Sequence, residues 1–313
     1  MRNKPTLSIV LPCFNEEQVI ENSYQELKPL LNKWLNSGLI AEYQLVMVNN
    51  GSLDKTLEKM IHLKKSDSKI KIIDLRSNYG YQGSITAGLY NADYEMIVSI
   101  DADLQDDPVK IEDMIHSYIK GYDMVLGIRD DRNTDSFLKK ITAEGFYKFM
   151  TLLGAKSVYN HGDFRLLSKT LIDNLKQYPE RNRYLRGIIL SLDHKYEKVF
   201  YKRRIRTAGE TKFKPLNLIS LALDGITSFS VAPIRFVFFL GLLMFFISIV
   251  VFFGVLYLKF FKDVEIQGWT SLMIMILFFG GIQNISLGIL GEYLAKTYIE
   301  SKGRPLFIIR EIL

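Results

Sequence analysis

Two stretches near the C-terminus constrain this chain more than any other feature. Phe236 to Leu258 is a run of 23 residues without a charged side chain, FVFFLGLLMFFISIVVFFGVLYL, and Trp269 to Gly291 is a second of the same length. At about 1.5 Å of rise per residue, each covers roughly 34 Å as a helix, enough to cross a hydrocarbon layer about 30 Å thick. The connector between them, KFFKDVEIQG, is short and mixed in charge, so the two helices are expected to form a hairpin. A soluble core built on two adjacent charge-free helices is disfavoured, and the runs lie at the wrong end of the chain for a signal peptide. Gln283 and Asn284, inside the second run, suit hydrogen bonding between the helices or contact with a lipid head group.

The flanks set an orientation. Lys195, Lys198, Lys202, Arg203, Arg204, Arg206, Lys212, Lys214 and Arg235 precede the first span, and Lys296, Lys302, Arg304 and Arg310 follow the second. The connector offers two lysines offset by Asp263 and Glu265. The positive-inside bias therefore predicts a multi-pass protein with both termini and residues 1–233 in the cytoplasm.

Composition adds exclusions. The 313 residues are 48% hydrophobic and 24% charged, which argues against disorder, and the one cysteine, Cys13, cannot close an internal disulfide. With 4 histidines a Cys/His zinc site is disfavoured. The net charge of +6 would suit nucleic acid, anionic lipid or phosphorylated substrates. The cations crowd directly before an amphipathic segment and the first span, where a nucleic-acid surface would want distance from a bilayer, so lipid and phosphate are favoured and nucleic acid is not.

Ahead of the spans, short β-rich runs alternate with helical patterns. Leu7–Leu11, Tyr43–Val48, Ile70–Leu75, Met96–Ile100 and Met124–Gly127 read as strands; Glu16–Asn36, Asp54–Lys65, Tyr81–Ala92, Pro108–Lys120 and Ser136–Leu153 read as helices. This alternation predicts an α/β domain with a mostly parallel, Rossmann-like sheet covered on both faces. Ligands of such sheets bind beyond the carboxyl ends of the strands. The polar motifs fall there: Pro12-Cys13-Phe14-Asn15-Glu16, Asn49-Asn50-Gly51-Ser52 and Asp101-Ala102-Asp103. Neither a G-x-G-x-x-G after the first strand nor a G-x-x-x-x-G-K-[ST] occurs, which removes the main support for dinucleotide and P-loop readings.

Asp101-Ala102-Asp103-Leu104-Gln105 is the sharpest chemical feature. If the strand's extended conformation persists, residues 101, 103 and 105 point to one side and offer three oxygen ligands suited to Mg²⁺ or Mn²⁺. The plain alternative is an acidic turn capping the helix that starts at Pro108, a task Asp106 or Asp107 can do alone. Cys13 sits in the first loop with no histidine near it in the motif, which argues against a nucleophile.

The segments VLPCFNEE (10–17), VNNGSLDKT (48–56), DLRSNYGYQGSITAGL (74–89) and DADLQDDP (101–108) resemble a GT-A, family-2 glycosyltransferase. With GIRDDR (127–132), GDFRLLSK (162–169) and RTAGETKFK (206–214), the chain resembles the polyprenyl-phosphate branch, which includes dolichol-phosphate mannose synthase and the bactoprenol glucosyltransferases. The hairpin followed by LGILGEYLAKTYIESKGRP (287–305) is similar to the bactoprenol type. The resemblance implies a GT-A catalytic domain over residues 1–213, a juxtamembrane amphipathic segment over 214–233, two transmembrane helices within 234–293 (about 236–258 and 269–291) and a cytoplasmic tail over 294–313.

The resemblance also implies roles. Pro12, Phe14 and Glu16 would line the nucleoside site; Val48 and Asn50 would contact the base; Asp101 and Ala102 would meet the ribose–phosphate. Asp103 and Gln105 would hold Mg²⁺ or Mn²⁺ with Asp101 nearby. Arg129 would meet the donor, and Arg206 with Lys212 would grip phosphates from a mobile loop. Asp163 is a candidate base, or a group that holds the sugar or Arg165. The family's Asp-Asp-Gly-Ser is replaced by Asn49-Asn50-Gly51-Ser52. An amide oxygen can accept a uracil N–H, whereas guanine's two adjacent donors favour a carboxylate, so the change leans towards a UDP-sugar.

The implied reaction is inverting, metal-dependent transfer of a hexose, glucose first among the candidates, from a UDP-sugar to undecaprenyl phosphate at a bacterial plasma membrane. The product would pass to a flippase and a glycan-modifying transferase, and the family includes tetramers as well as monomers. The alternatives are the same reaction with N-acetylglucosamine, mannose from GDP-mannose or an aminoarabinose derivative, or a silent membrane adaptor whose only support is the Asn49-Asn50 pair. A processive synthase would carry Q-x-x-R-W, but the tryptophans here, Trp34 and Trp269, lie outside any such motif.

Overall fold

The computed structural model describes residues 4–130, 158, 160–181, 183–204, 231–262 and 268–313. The expected helix Ser136–Leu153, Arg206, Lys212 and most of the segment 214–233 lie outside the described residues.

The strands β1 (Thr6–Cys13), β2 (Glu42–Asn49), β3 (Ile70–Leu75), β4 (Met96–Ser99), β5 (Met124–Arg129), β6 (His161–Ser168), β7 (Tyr196–Tyr201) and β8 (Ile309–Ile312) form one sheet in the order β7-β5-β6-β4-β1-β2-β3-β8. The central strands β3, β2, β1 and β4 are parallel, as are β5 and β7. Two strands run against this direction: β6, inserted between β4 and β5, and β8 on the edge beside β3. All five expected strands are present.

Side chains in a strand alternate between faces, and here both faces are covered. Leu7, Ile9 and Leu11 of β1 join Tyr43, Leu45 and Met47 of β2 in one core; Val10, Val46 and Val48 belong to the other. The first core is closed by α1 (Ile20–Asn36), whose buried Ile20, Ser23, Leu27, Leu31 and Trp34 recur at helical spacing, with α2 (Thr56–Ser66) and α4 (Ile111–Ile119). The second is closed by α3 (Gly80–Tyr90), α5 (Lys169–Lys176) and α6 (Leu185–Leu192). Helix α3 lies so close to the sheet that a Cβ on Gly88 would sit 2.2 Å from Val10 Cγ1, so only glycine fits there.

β6 reads HGDFRLLS and is buried along its whole length. Phe164 and Leu166 face the first core, which leaves His161, Asp163 and Arg165 on the opposite face. Because β6 runs antiparallel, its first residues stand where β4 and β5 end, so these polar groups are delivered to the loop side of the sheet.

The apolar runs form α7 (Ala232–Lys262, 31 residues) and α8 (Trp269–Ser301, 33 residues). Within them, Ala232–Gly254 and Met275–Ser301 are long and apolar enough to cross a membrane, and neither is buried against protein. Phe236, Phe238, Phe239, Phe245, Phe246, Phe252 and Phe253 all stand exposed. A surface of that kind needs an apolar solvent, so the protein is membrane-associated. α8 continues ten residues beyond Gly291, so the expected tail 294–313 begins as helix and ends as the edge strand β8.

Candidate active site

The loops after β1 and β2 are sewn together. Asn15 (φ 52°) donates its N–H to Ser52 Oγ at 3.1 Å and accepts Leu53 N–H on Oδ1 at 2.9 Å. Glu16 N–H reaches Thr56 Oγ1 at 2.8 Å, and Glu17 N–H reaches Asp54 Oδ2 at 3.2 Å. Gly51 turns the second loop at φ 66°, and a Cβ there would lie 2.5 Å from the Ser77 carbonyl carbon. Pro12, Phe14 and Glu16 thus belong to a segment that is bonded to the Asn-Asn-Gly-Ser turn and the residues after it. Val48 is fully buried in the core, so it can meet a ligand only through its backbone.

The amides at 49 and 50 are both committed to neighbouring loops. Asn49 Nδ2 donates to Asp74 Oδ1 at 2.7 Å, and its Oδ1 accepts Ser52 N–H at 3.2 Å. Asn50 Nδ2 donates to Asn78 Oδ1 at 3.0 Å and to Gly80 O at 3.1 Å, while its Oδ1 accepts Tyr79 N–H at 2.9 Å. A carboxylate, which only accepts, could make none of the three Nδ2 bonds. The asparagines therefore have a reason in the fold, and the support they lent to a silent adaptor falls away.

After β4 the chain turns. Leu104 N–H closes on Asp101 O at 3.1 Å and Leu104 takes φ 45°, so the extended arrangement expected for residues 101–105 does not form. The turn is anchored from three directions. Ser23 Oγ donates to Ala102 O, Arg204 N–H donates to Gln105 O at 2.8 Å, and Tyr81 Oη donates to Asp101 Oδ1 at 2.7 Å. Burial, with the nearby charges of Asp106 and Asp163, pushes the Asp101 carboxyl up to about 7. Asp103 is half-buried and accepts Gln105 N–H at 3.3 Å. Among the described residues no three His, Cys, Asp or Glu side chains gather closely enough to cage a metal ion. The Asp101 carboxyl, raised in proton affinity, and the Asp103 carboxylate two residues on nevertheless fit a hard divalent cation that takes its remaining oxygens from phosphate and water.

Opposite this turn stands an arginine cluster. Asp163 pairs with Arg165 and, at 2.7 Å, with Arg186 Nη2 from the first turn of α6. Burial opposes ionisation of Asp163, but Arg186 and Arg165 outweigh it and hold the carboxyl well below the usual range. Arg165 is fully buried, and among the described residues its Nη1 has no hydrogen-bond partner. His161, beside it, is kept neutral by burial and by the surrounding guanidiniums. Arg129 at the end of β5 bonds Tyr201 Oη through Nε at 3.1 Å and Asp106 Oδ1 through Nη2 at 3.3 Å. Ser99 Oγ donates to Asp163 O at 2.6 Å, tying the cluster to the strand that leads into Asp101. Cys13 is buried, and its thiol is pushed up by burial and by Glu16 and Asp54, which agrees with an unreactive side chain.

The fold thus gathers Pro12, Phe14, Glu16, Asn50, Asp101, Ala102, Asp103, Gln105, Arg129 and Asp163 at the carboxyl ends of the parallel strands. Sequence reasoning passed over Arg186, Tyr81 and Arg204. Tyr81 lies within the quoted 74–89 motif, and Arg204 within the basic stretch; Arg186 has no local signal, because its partner is 23 residues away on another element.

The mostly parallel sheet with helices on both faces and an acidic turn after β4 is the architecture of a GT-A domain, and residues 8–176 match the family described as Glycosyl transferase family 2. The chain belongs to that family. It is 41% identical over 311 residues to the uncharacterized glycosyltransferase YkoT of Bacillus subtilis, covering 98% of this chain and 92% of the relative. It is 39% identical over 310 residues to the prophage bactoprenol glucosyl transferase homolog of Escherichia coli K12, covering 98% and 99%. The mannosyltransferase PcManGT from Pyrobaculum calidifontis, solved with GDP-Man and Mn²⁺, shares the fold at a TM-score of 0.50 and 13% identity, over 72% of this chain and 64% of that one.

Proposed function

We propose that this enzyme transfers a hexose, glucose first, from a UDP-sugar to polyprenyl phosphate at the cytoplasmic face of a bacterial plasma membrane. The observation that carries this reading is the meeting of the Asp101–Gln105 turn and the Asp163 cluster where β4 ends and β6 begins, in the middle of the sheet. Arg204, ahead of α7 in the chain, is bonded to that turn through Gln105 O. The names of two relatives aligned over nearly the whole chain, a bactoprenol glucosyl transferase and a homolog of one, support the acceptor and the sugar in this reading.

In this reading Pro12, Phe14, Glu16 and the Val48–Asn50 backbone border the nucleoside, and Asp101 and Ala102 border the ribose and diphosphate. Asp103, Asp101 and Gln105 would hold Mg²⁺ or Mn²⁺, which when bound would stabilise charge on the departing diphosphate. A lipid phosphate oxygen attacks the anomeric carbon, the bond from that carbon to the diphosphate breaks, and UDP leaves from the opposite face with inversion. A phosphomonoester has a second pKa of about 6 and is mostly dianionic at neutral pH, so it has little need of a base. Asp163, held far below the usual carboxylate range by two guanidiniums, is a poor base. It acts as a positioning residue, fixing Arg165 and Arg186 so that with Arg129 they present positive potential to the phosphates. Arg206 and Lys212 add to it; Arg206 follows Arg204 by two residues, a span of about 7 Å at full extension. Both termini lie in the cytoplasm, on the side of the basic flanks.

The test is incubation of membranes containing the protein with polyprenyl phosphate and a panel of radiolabelled nucleotide sugars. UDP-glucose should yield a mild-acid-labile lipid monophosphate, and Asp103→Ala should abolish it. Labelling from another sugar alone would overturn the donor, and full turnover in the variant would overturn the cation assignment.

A further inference from the structure

The segment after α8 reaches back to the donor side of the sheet. α8 ends against the catalytic domain, where both carboxylate oxygens of Glu300 accept Arg181 N–H at 2.8 and 2.9 Å. The chain then turns at Gly303 (φ 59°) and runs along α3 and β3. The Phe307 ring meets Tyr90 edge-on at 6.3 Å, Ile308 O accepts Arg76 N–H at 3.0 Å, and Leu313 and Ile72 exchange two backbone bonds at 2.9 Å.

Within this strap, Arg310 Nη1 lies 3.2 Å from Asp74 Oδ2, and its Nη2 donates to Arg76 O at 3.3 Å. Asp74 is 3% exposed, and its other oxygen takes the Asn49 amide at 2.7 Å. An ionised carboxylate only accepts, so Asn49 must turn its NH₂ towards Asp74 and its oxygen towards Ser52 N–H. Ser52 Oγ in turn accepts Asn15 N–H. The contacts form one continuous chain, Arg310–Asp74–Asn49–Ser52–Asn15, whose donors converge on Asp74 and which links the residues behind α8 to both loops of the nucleoside side.

We propose that Arg310 is a positioning residue for the donor: by neutralising Asp74 it sets the Asn49 amide and, through it, the two loops that hold the nucleotide. The inference rests on the donor reading above and adds to it a coupling between the membrane-anchored strap and nucleotide affinity.

The experiment uses the full-length protein in detergent with UDP as the probe. Arg310→Met keeps the apolar stem and removes the charge. It should raise the Kd for UDP and the KM for the sugar nucleotide by on the order of fivefold, the low end of coupling between sites because Arg310 is half-exposed, with kcat little changed. Arg310→Lys should recover part of the loss, and combining Arg310→Met with Asp74→Asn should cost less than the sum of the two. Coupling is reciprocal, so saturating UDP should slow amide hydrogen exchange across residues 305–313 of the wild-type protein several-fold. This measurement decides the matter should Arg310→Met fail to fold. An unchanged Kd and KM in a folded Arg310→Met, a lowered melting temperature without any KM effect, or strap exchange indifferent to UDP would each overturn the inference. Wild-type protein that binds no UDP would overturn the donor reading itself.

Discussion

Exchanging Asn49 for aspartate tests why this chain departs from its family's usual acidic pair. The Asn49 amide nitrogen sits 2.7 Å from Asp74 Oδ1, and both residues are nearly fully buried. Asn49→Asp would replace a donor with a second carboxylate at that distance, a repulsion of about 6 kcal/mol at an effective dielectric near 20. Uptake of a proton limits the cost: protonating an ordinary carboxyl at pH 7 requires about 4 kcal/mol. A shared O–H···O⁻ bond and the neighbouring Arg310 offset part of it, leaving about 2–3 kcal/mol, or roughly 5–10 °C in melting temperature for a domain of this size. The sign with pH follows from linkage. The paired carboxyls have a folded value raised above the unfolded value of about 4, so the folded variant binds the extra proton. Its deficit should therefore be absent below about pH 4 and grow as pH rises towards neutrality. Thermal melts of the full-length protein in detergent across that range measure it. The swap Asn49→Asp with Asp74→Asn restores one donor and one acceptor and should recover most of the loss. A single variant that melts like wild type at pH 8, with no pH dependence, would refute the account of the amide as a structural necessity.

Two further outcomes follow from the charges at the site. Asp163→Asn leaves Arg165 and Arg186 without their carboxylate; breaking a buried pair of this kind costs about 3–5 kcal/mol. Because the folded Asp163 value lies below the unfolded one, the stability gap between wild type and variant should be flat above about pH 5 and shrink below about pH 4, in melts taken across that range. Turnover of the variant should fall by about a hundredfold through lost positioning. Asp101 has the opposite sign: its folded value of about 7 lies above the unfolded one, so its charge destabilises the metal-free protein above neutrality. EDTA-treated Asp101→Asn should therefore melt a few degrees above EDTA-treated wild type at pH 8 and level with it near pH 4.

Much of the fold was legible because its signals are local. β1 to β5 are apolar runs bounded by polar loops, α7 and α8 contain long charge-free stretches, and the polar motifs lie where strands give way to loops. β6 escaped because three of its eight buried residues, His161, Asp163 and Arg165, are ionisable and break the apolar pattern that marks a strand. β8 escaped because IREI is four residues long and its partner, β3, lies near the other end of the chain. The Asp101–Gln105 run was read as extended, but Leu104 adopts a left-handed backbone and folds it into a turn held by Ser23, Tyr81 and Arg204.

Residue order alone therefore settles the two long apolar helices, the mostly parallel α/β sheet and the strand ends at which the polar loops gather, since hydropathy and periodicity are properties of neighbouring residues. The pairing of charges belongs to the folded chain. Asp163 looked equally suited to accept a proton or hold an arginine until Arg186 arrived on α6, and Asn50 looked like a group for reading a base until Asn78, Tyr79 and Gly80 closed around it. A side chain's ionisation and hydrogen-bond direction depend on what stands within a few ångströms, and that company is chosen by packing between segments far apart in the chain.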